Sequence, residues 1–233
     1  MLSSLEALYL FHNQFYGSFP SEVGSLSSLK NLFLFDNQFS GFVPSEIGLL
    51  SSLEIVAFYN NNFSGKIPSE VGLLSNLWLF YLYYNQLTSS IPTEIGLLSS
   101  LEGLALFSNS LNNSIPSQIG LLSNLEVLHL NYNQLSGSIP SEVGSFSRLV
   151  LVELRNNRLE GSIPSEIGLL WNLNGLGLAY NVLDNLIPSE LGLLSSLEVL
   201  HVNNNQLSGT LPVEICNQNL NLNISFTDIE NTC

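Results

Sequence analysis

Asparagine returns every 24 residues without a miss, at Asn13, Asn37, Asn61, Asn85, Asn109, Asn133, Asn157, Asn181 and Asn205. Proline keeps the same step, at Pro20, Pro44, Pro68, Pro92, Pro116, Pro140, Pro164, Pro188 and Pro212, and these are all nine prolines of the chain. With a fixed period of this size, each unit buries its apolar face only by stacking on its neighbours, so the chain must build a solenoid. The unbroken period assigns the 233 residues to one elongated body, not to two globular ones. Residues 1–215 hold nine repeats, and residues 216–233 read as a closing segment.

Counted from its first leucine (Leu5, Leu29, Leu53, Leu77, Leu101, Leu125, Leu149, Leu173, Leu197), the unit reads L-x-x-L-x-L-x-x-N-x-L-x-G-x-I-P-x-E-I-G-x-L-x-x. The L-x-L core alternates with period two, which predicts a short strand with one face buried. The asparagine after it can satisfy the backbone groups of the turn through its amide. Four residues on, glycine stands in six copies, with Ser89, Asn113 and Asn185 in the others, and this position predicts a left-handed turn. The I-P-S-E-I-G stretch has proline and an early glutamate, as the first turn of a short helix or 3₁₀ segment does. Its glycine, Gly24 through Gly192, is expected to end that turn.

Apolar residues make up 45% of the chain, ample for a continuous core, whereas charged residues make up only 10%. Nineteen acidic residues face five basic ones, for a formal net charge of −14. Such a field repels nucleic acid and anionic membrane surfaces alike. No run of about 18 apolar residues occurs, so nothing in the sequence predicts membrane insertion. Neither does a basic, then apolar leader open the chain. Leu2-Ser3-Ser4-Leu5 aligns with Leu26-Ser27-Ser28-Leu29, so the chain begins inside a repeat, and an N-terminal cap is expected to be missing, as in a fragment or truncated gene model.

This repeat resembles the plant-type, 24-residue leucine-rich repeat with its L-x-G-x-I-P second half, and the match spans essentially residues 1–215. The resemblance implies an α/β repeat solenoid: a right-handed superhelix with a concave parallel β-sheet and short 3₁₀ or helical turns on the convex side. It implies a receptor-like ectodomain or a secreted inhibitor of wall-degrading enzymes, extracellular or at the cell surface. A structural or adhesive role, and a cytoplasmic location for a chain that truly starts at Met1, are the alternatives. In that family context, Cys216 and Cys233 read as one disulfide closing the solenoid's end, or else as two free thiols in the tail. Three glycosylation sequons, at Asn62, Asn112 and Asn223, fit the same compartment, although a chain so rich in Asn and Ser produces sequons by chance.

Residues three to eight of each repeat are expected to alternate between core and solvent, so the outward columns can be read down the array. The fifth position gives Tyr9, Phe33, Ala57, Tyr81, Ala105, His129, Glu153, Gly177 and His201. The seventh gives Phe11, Phe35, Tyr59, Tyr83, Phe107, Asn131, Arg155, Ala179 and Asn203, and the eighth adds Tyr84. Aromatics fill the first five repeats and polar groups the last four. Adjacent strands lie roughly 5 Å apart, so Tyr9, Phe11, Phe33, Phe35, Tyr59, Tyr81, Tyr83, Tyr84 and Phe107 form a strip about 20 Å long. An apolar strip of that extent marks a binding face for a peptide or protein, or a stack of rings that stabilises the sheet; the two are compatible.

Arg148, Arg155 and Arg158 gather around the start of one repeat, with Glu153 nearby; Arg155 can meet a ligand carboxylate or pair with Glu153. Eight glutamates from Glu22 to Glu214 hold the turn position and read as a solvated outer row. His129 and Glu153 are the only candidate acid–base pair, and no nucleophile accompanies them. His129 and His201 sit three strands apart, about 15 Å, too far to share a metal. No cofactor motif occurs, so no cofactor and no catalysis are expected, only protein or peptide partners.

Overall fold

The structure is a computed structural model that describes residues 4–216. Strands recur with the period, from Ala7–Tyr9 and Asn31–Phe33 to Gly175–Gly177 and Val199–His201, and they pair in chain order as one nine-stranded parallel sheet. The register advances by one whole repeat at every step, so Leu32 faces Val56 and Val56 faces Phe80. The sheet lines the concave side. On the other side of the core run eight 3₁₀ turns, from Ser21–Ser25 to Ser189–Leu193, and a final helical turn at Val213–Cys216.

Each strand is three residues long, shorter than the six-residue alternation expected. The eighth residue of every repeat adopts positive φ, between 51° at Tyr84 and 58° at Tyr180, and ends the regular ladder. That conformation is unfavourable for a residue with a side chain, and the asparagine that follows holds it in place. Asn61 shows the arrangement. Its Nδ2 donates to the carbonyls of Phe58 (3.1 Å), Tyr59 (3.3 Å) and, in the preceding repeat, Leu34 (2.9 Å). Its Oδ1 accepts the N–H of Phe39 at 2.9 Å, again in the preceding repeat. Equivalent bonds recur from Asn37 to Asn205, so the amides stitch each repeat to its predecessor.

The left-handed turn predicted four residues later is present in all nine repeats, with φ of 66° at Ser89, 63° at Asn113 and 64° at Asn185. Short parallel strands flank it in two successive four-stranded sets, Tyr16–Ser18 to Gln86–Leu87 and Asn112–Asn113 to Val182–Leu183. Backbone bonds carry on between the two sets, from Ser110 N–H to the Leu87 carbonyl (2.8 Å) and from Asn112 N–H to the Ser89 carbonyl (2.9 Å), where serine and asparagine stand in place of two consecutive glycines.

The second glycine has a different cause from the one expected. Gly48 lies inside the Ser45–Leu49 turn, not at its end. A Cβ on it would stand 2.6 Å from the Glu70 carbonyl oxygen of the next repeat. Glycine here allows successive turns to approach; it does not terminate them. Proline caps each turn from outside: Pro44 is extended (φ −66°, ψ 134°), and its carbonyl accepts the Ile47 N–H at 3.1 Å. Inside, leucine, isoleucine and valine form one continuous core, with Phe58, Phe63, Phe80 and Phe146 filling the widest places.

Candidate functional site

The seventh-position aromatics form a column of five rings on the concave face. Phe11 stacks on Phe35 (4.6 Å between centroids, 6° between planes), Phe35 on Tyr59 (4.5 Å, 10°), Tyr59 on Tyr83 (4.4 Å, 6°) and Tyr83 on Phe107 (4.4 Å, 8°). The repeat sets this spacing, because identical positions in neighbouring parallel strands stand one strand apart. Inner rings therefore hide both faces on one another and turn their edges to solvent. The hydroxyls of Tyr59 and Tyr83 stand at the edges of the middle rings and hydrogen-bond one another, so the column is an aromatic ridge with a polar handle at its middle.

A second, shorter column runs beside it. Tyr9 stacks on Phe33 at 4.8 Å, Ala57 leaves a gap, and Tyr81 follows. The Tyr81 hydroxyl lies over Gly103, 2.9 Å from where a Cβ would stand, so that glycine makes its room. Ala57 and Ala105, on either side of Tyr81 in the same column, are buried. Tyr84 stands outside them in the left-handed turn, 53% exposed and edge-on to Phe107 at 5.2 Å.

Burial raises the phenol pKa of Tyr59, Tyr81 and Tyr83, so all three keep their protons well above neutral pH. The rise is greatest at Tyr83, where the hydroxyl of Tyr59 adds to the burial. Along the rim, His12 Nδ1 meets Asp36 Oδ2 at 2.9 Å, and Asn60 Nδ2 donates to Asp36 Oδ1 at 2.6 Å.

The stack ends at His129, whose ring meets Phe107 edge-on at 6.0 Å. Its Nε2 is buried without a hydrogen-bond partner, and burial lowers its pKa against the opposing pull of Glu153. His129 and Glu153 are register partners, as the sequence suggests, but the Glu153 carboxylate turns to Arg155, whose Nε donates to its Oε2 at 2.6 Å. Of the two fates open to Arg155, the structure shows the internal pair. The same carboxylate overhangs Gly177, which has no side chain to block it.

The three neighbouring arginines do not act together. Arg148 donates to Glu126 (2.6 Å) and Asn124 (3.3 Å), while Arg158 is exposed on the outer ribbon. Among the described residues no group of three His, Cys, Asp or Glu side chains converges as a metal site. Asn62 is exposed, and its Oδ1 accepts from Gln86 Nε2 at 3.2 Å. Asn112 is half-buried and accepts from Asn113. Asn223 and Cys233 lie outside the described residues, as does the side chain of Cys216.

A family profile described as Leucine-rich repeat region matches residues 5–138, and one described as Leucine Rich Repeat matches residues 148–170 and 196–218. No curated protein matches the chain. Among solved structures, the ectodomain of the Arabidopsis thaliana membrane receptor kinase GASSHO1/SCHENGEN3, in complex with CASPARIAN STRIP INTEGRITY FACTOR 2, is 36% identical over 94% of this chain and 27% of that one, with a TM-score of 0.91. The plant peptide hormone receptor RGFR1 in complex with RGF2 is 33% identical over 94% of this chain and 39% of that one, with a TM-score of 0.77. A leucine-rich-repeat protein of Leptospira interrogans is 35% identical over 97% of this chain and 55% of that one, with a TM-score of 0.80. The chain thus spans well under half the length of the two receptor chains. No helix among the described residues is long and apolar enough to cross a membrane.

Proposed function

The chain belongs to the leucine-rich-repeat family, and from that premise we propose that it is a recognition module, part of an extracellular or cell-surface receptor, that binds a peptide segment on its concave face. The five-ring column carries the proposal. It offers a rigid apolar crest whose ordering cost is already met within the fold, as anchoring aromatics at interfaces require. Apolar side chains of the ligand would pack along the ridge beside Ala57 and Ala105, where the fifth position carries no ring. The net charge of −14 favours a cationic ligand and speeds its approach. The complex of the similar plant peptide hormone receptor RGFR1 with RGF2 supports the reading. Arg155 would contribute only by exchanging Glu153 for a carboxylate of the ligand.

The test is Tyr59→Ala combined with Tyr83→Ala. Peptides selected from a random library on the unaltered protein should lose affinity by about thirtyfold, or roughly 2 kcal/mol, while far-ultraviolet circular dichroism stays the same. Unchanged affinity would remove the aromatic column from the binding site.

A further inference from the structure

The convex side carries a second regular surface. The residue after the turn glycine is leucine at Leu49, Leu73, Leu97, Leu121, Leu169 and Leu193, and each is 58–66% exposed. Serine takes the place at Ser25 and Ser145. Three residues before each of these leucines stands an acid, Glu46, Glu70, Glu94, Glu166 or Glu190, with Gln118 as the exception. In a 3₁₀ turn, residues three apart eclipse, roughly 6 Å from one another along the axis. Leucines and carboxylates therefore form two parallel rows along the solenoid.

The glycine between them keeps the rows tight. Cβ atoms on Gly48 and Gly72 would stand 2.6 Å and 2.7 Å from the carbonyl oxygen of the next glutamate. Neighbouring hydroxyls donate to the carboxylates, Ser69 to Glu70 at 3.3 Å and Thr93 to Glu94 at 3.2 Å. No turn glutamate takes part in an ion pair among the described residues.

We propose that this double row docks a cationic amphipathic helix of a partner protein, laid along the solenoid over repeats two to five. The chemistry is complementary: leucines meet the apolar stripe, and glutamates meet lysines or arginines on its flank. The spacing also matches. Repeats stand roughly 5 Å apart at the concave strands and somewhat farther apart on the convex side, close to the ~5.4 Å rise of one helical turn, so one turn of the partner meets one leucine and about three turns cover Leu49 to Leu121. An extended strand repeats a face every ~6.7 Å and drifts out of step within a few repeats. A second copy of this chain is disfavoured, because it would set carboxylate row against carboxylate row between two molecules of charge −14. The site lies on the opposite side from the aromatic column and does not depend on it.

The probe is a fluorescent synthetic helix of leucine and lysine, roughly 18 residues and about 27 Å long, compared by anisotropy with a scrambled peptide of the same composition. Leu73→Ser with Leu97→Ser copies the natural serines at Ser25 and Ser145, and leaves the net charge unaltered. It should weaken binding about tenfold. Glu70→Gln with Glu94→Gln, copying Gln118, should weaken it too and flatten its dependence on salt. Tyr59→Ala with Tyr83→Ala should leave binding unchanged. No binding by the unaltered protein, equal binding of the scrambled peptide, or full binding by the serine variant would overturn the proposal. Loss confined to the tyrosine variant would place the helix on the concave face and overturn it equally.

Discussion

Repeats one to five and repeats six to nine share one backbone and present two different faces. The seventh position carries Phe11, Phe35, Tyr59, Tyr83 and Phe107 in the first group, then Asn131, Arg155, Ala179 and Asn203 in the second. Strand length, left-handed turn and asparagine bonds do not change across the boundary. The scaffold is thus set by positions that point inward, and the outward ones are free to vary. Recognition can evolve on such a framework without disturbing the stack that supports it.

If the scaffold is uniform, its asparagines should matter equally in both halves. Asn61 and Asn181 are both buried, each with three carbonyls on its amide nitrogen and one N–H on its oxygen. Asn61→Leu and Asn181→Leu should each cost about 3 kcal/mol in urea unfolding, because the backbone partners stay buried without replacement. A large inequality would show that the aromatic column, present beside Asn61 alone, holds part of the backbone by itself.

The faces should differ where the scaffold does not. Tyr59 touches a ring on each side, and stacked pairs contribute about 0.5–1.5 kcal/mol each beyond burial. Tyr59→Ala should therefore cost about 2 kcal/mol in stability, whereas Asn203→Ala, at the same position in the last repeat, should stay within about 0.5 kcal/mol. Equal costs would erase the distinction, and the column would then be a set of neighbours with no mutual attraction.

The architecture was readable in the sequence because its causes repeat. Asn, Gly and Pro each answer to one backbone requirement, and even Ser89, Asn113 and Asn185 reveal the left-handed turn that glycine usually serves. Contacts that depend on side-chain torsion were not readable. Spacing alone placed Tyr59 beside Tyr83, but whether the rings lay face to face or splayed depends on rotamers that no periodicity records. The turn glycines misled for a related reason: Gly48 meets the backbone of a residue in the following repeat, and that proximity exists only after stacking. Arg148, Arg155 and Arg158 are grouped in the sequence, yet a chain that circles the core every 24 residues sends near neighbours to different sides.

His129 stands at the seam between the two faces, so its titration tests how firmly they join. Burial against Phe107 and its neighbours disfavours the charged ring and lowers its pKa from the ordinary 6.5, with Glu153 pulling the other way and Arg155 assisting the drop. A lowered folded value means that the unfolded chain binds the proton more tightly. The stability this group contributes is thus complete above about pH 6.5 and declines as pH falls through the unfolded value towards the folded one. His129→Gln should remove that part of the acid sensitivity, so its melting temperature should fall less than that of the unaltered protein between about pH 7 and pH 5. The effect is the smallest of the three, because Glu153 offsets part of the burial. Identical pH profiles would mean that the imidazolium finds its counter-charge in Glu153, and that the carboxylate leaves Arg155 to meet it. The seam would then belong to the polar half, with the aromatic column ending at Phe107.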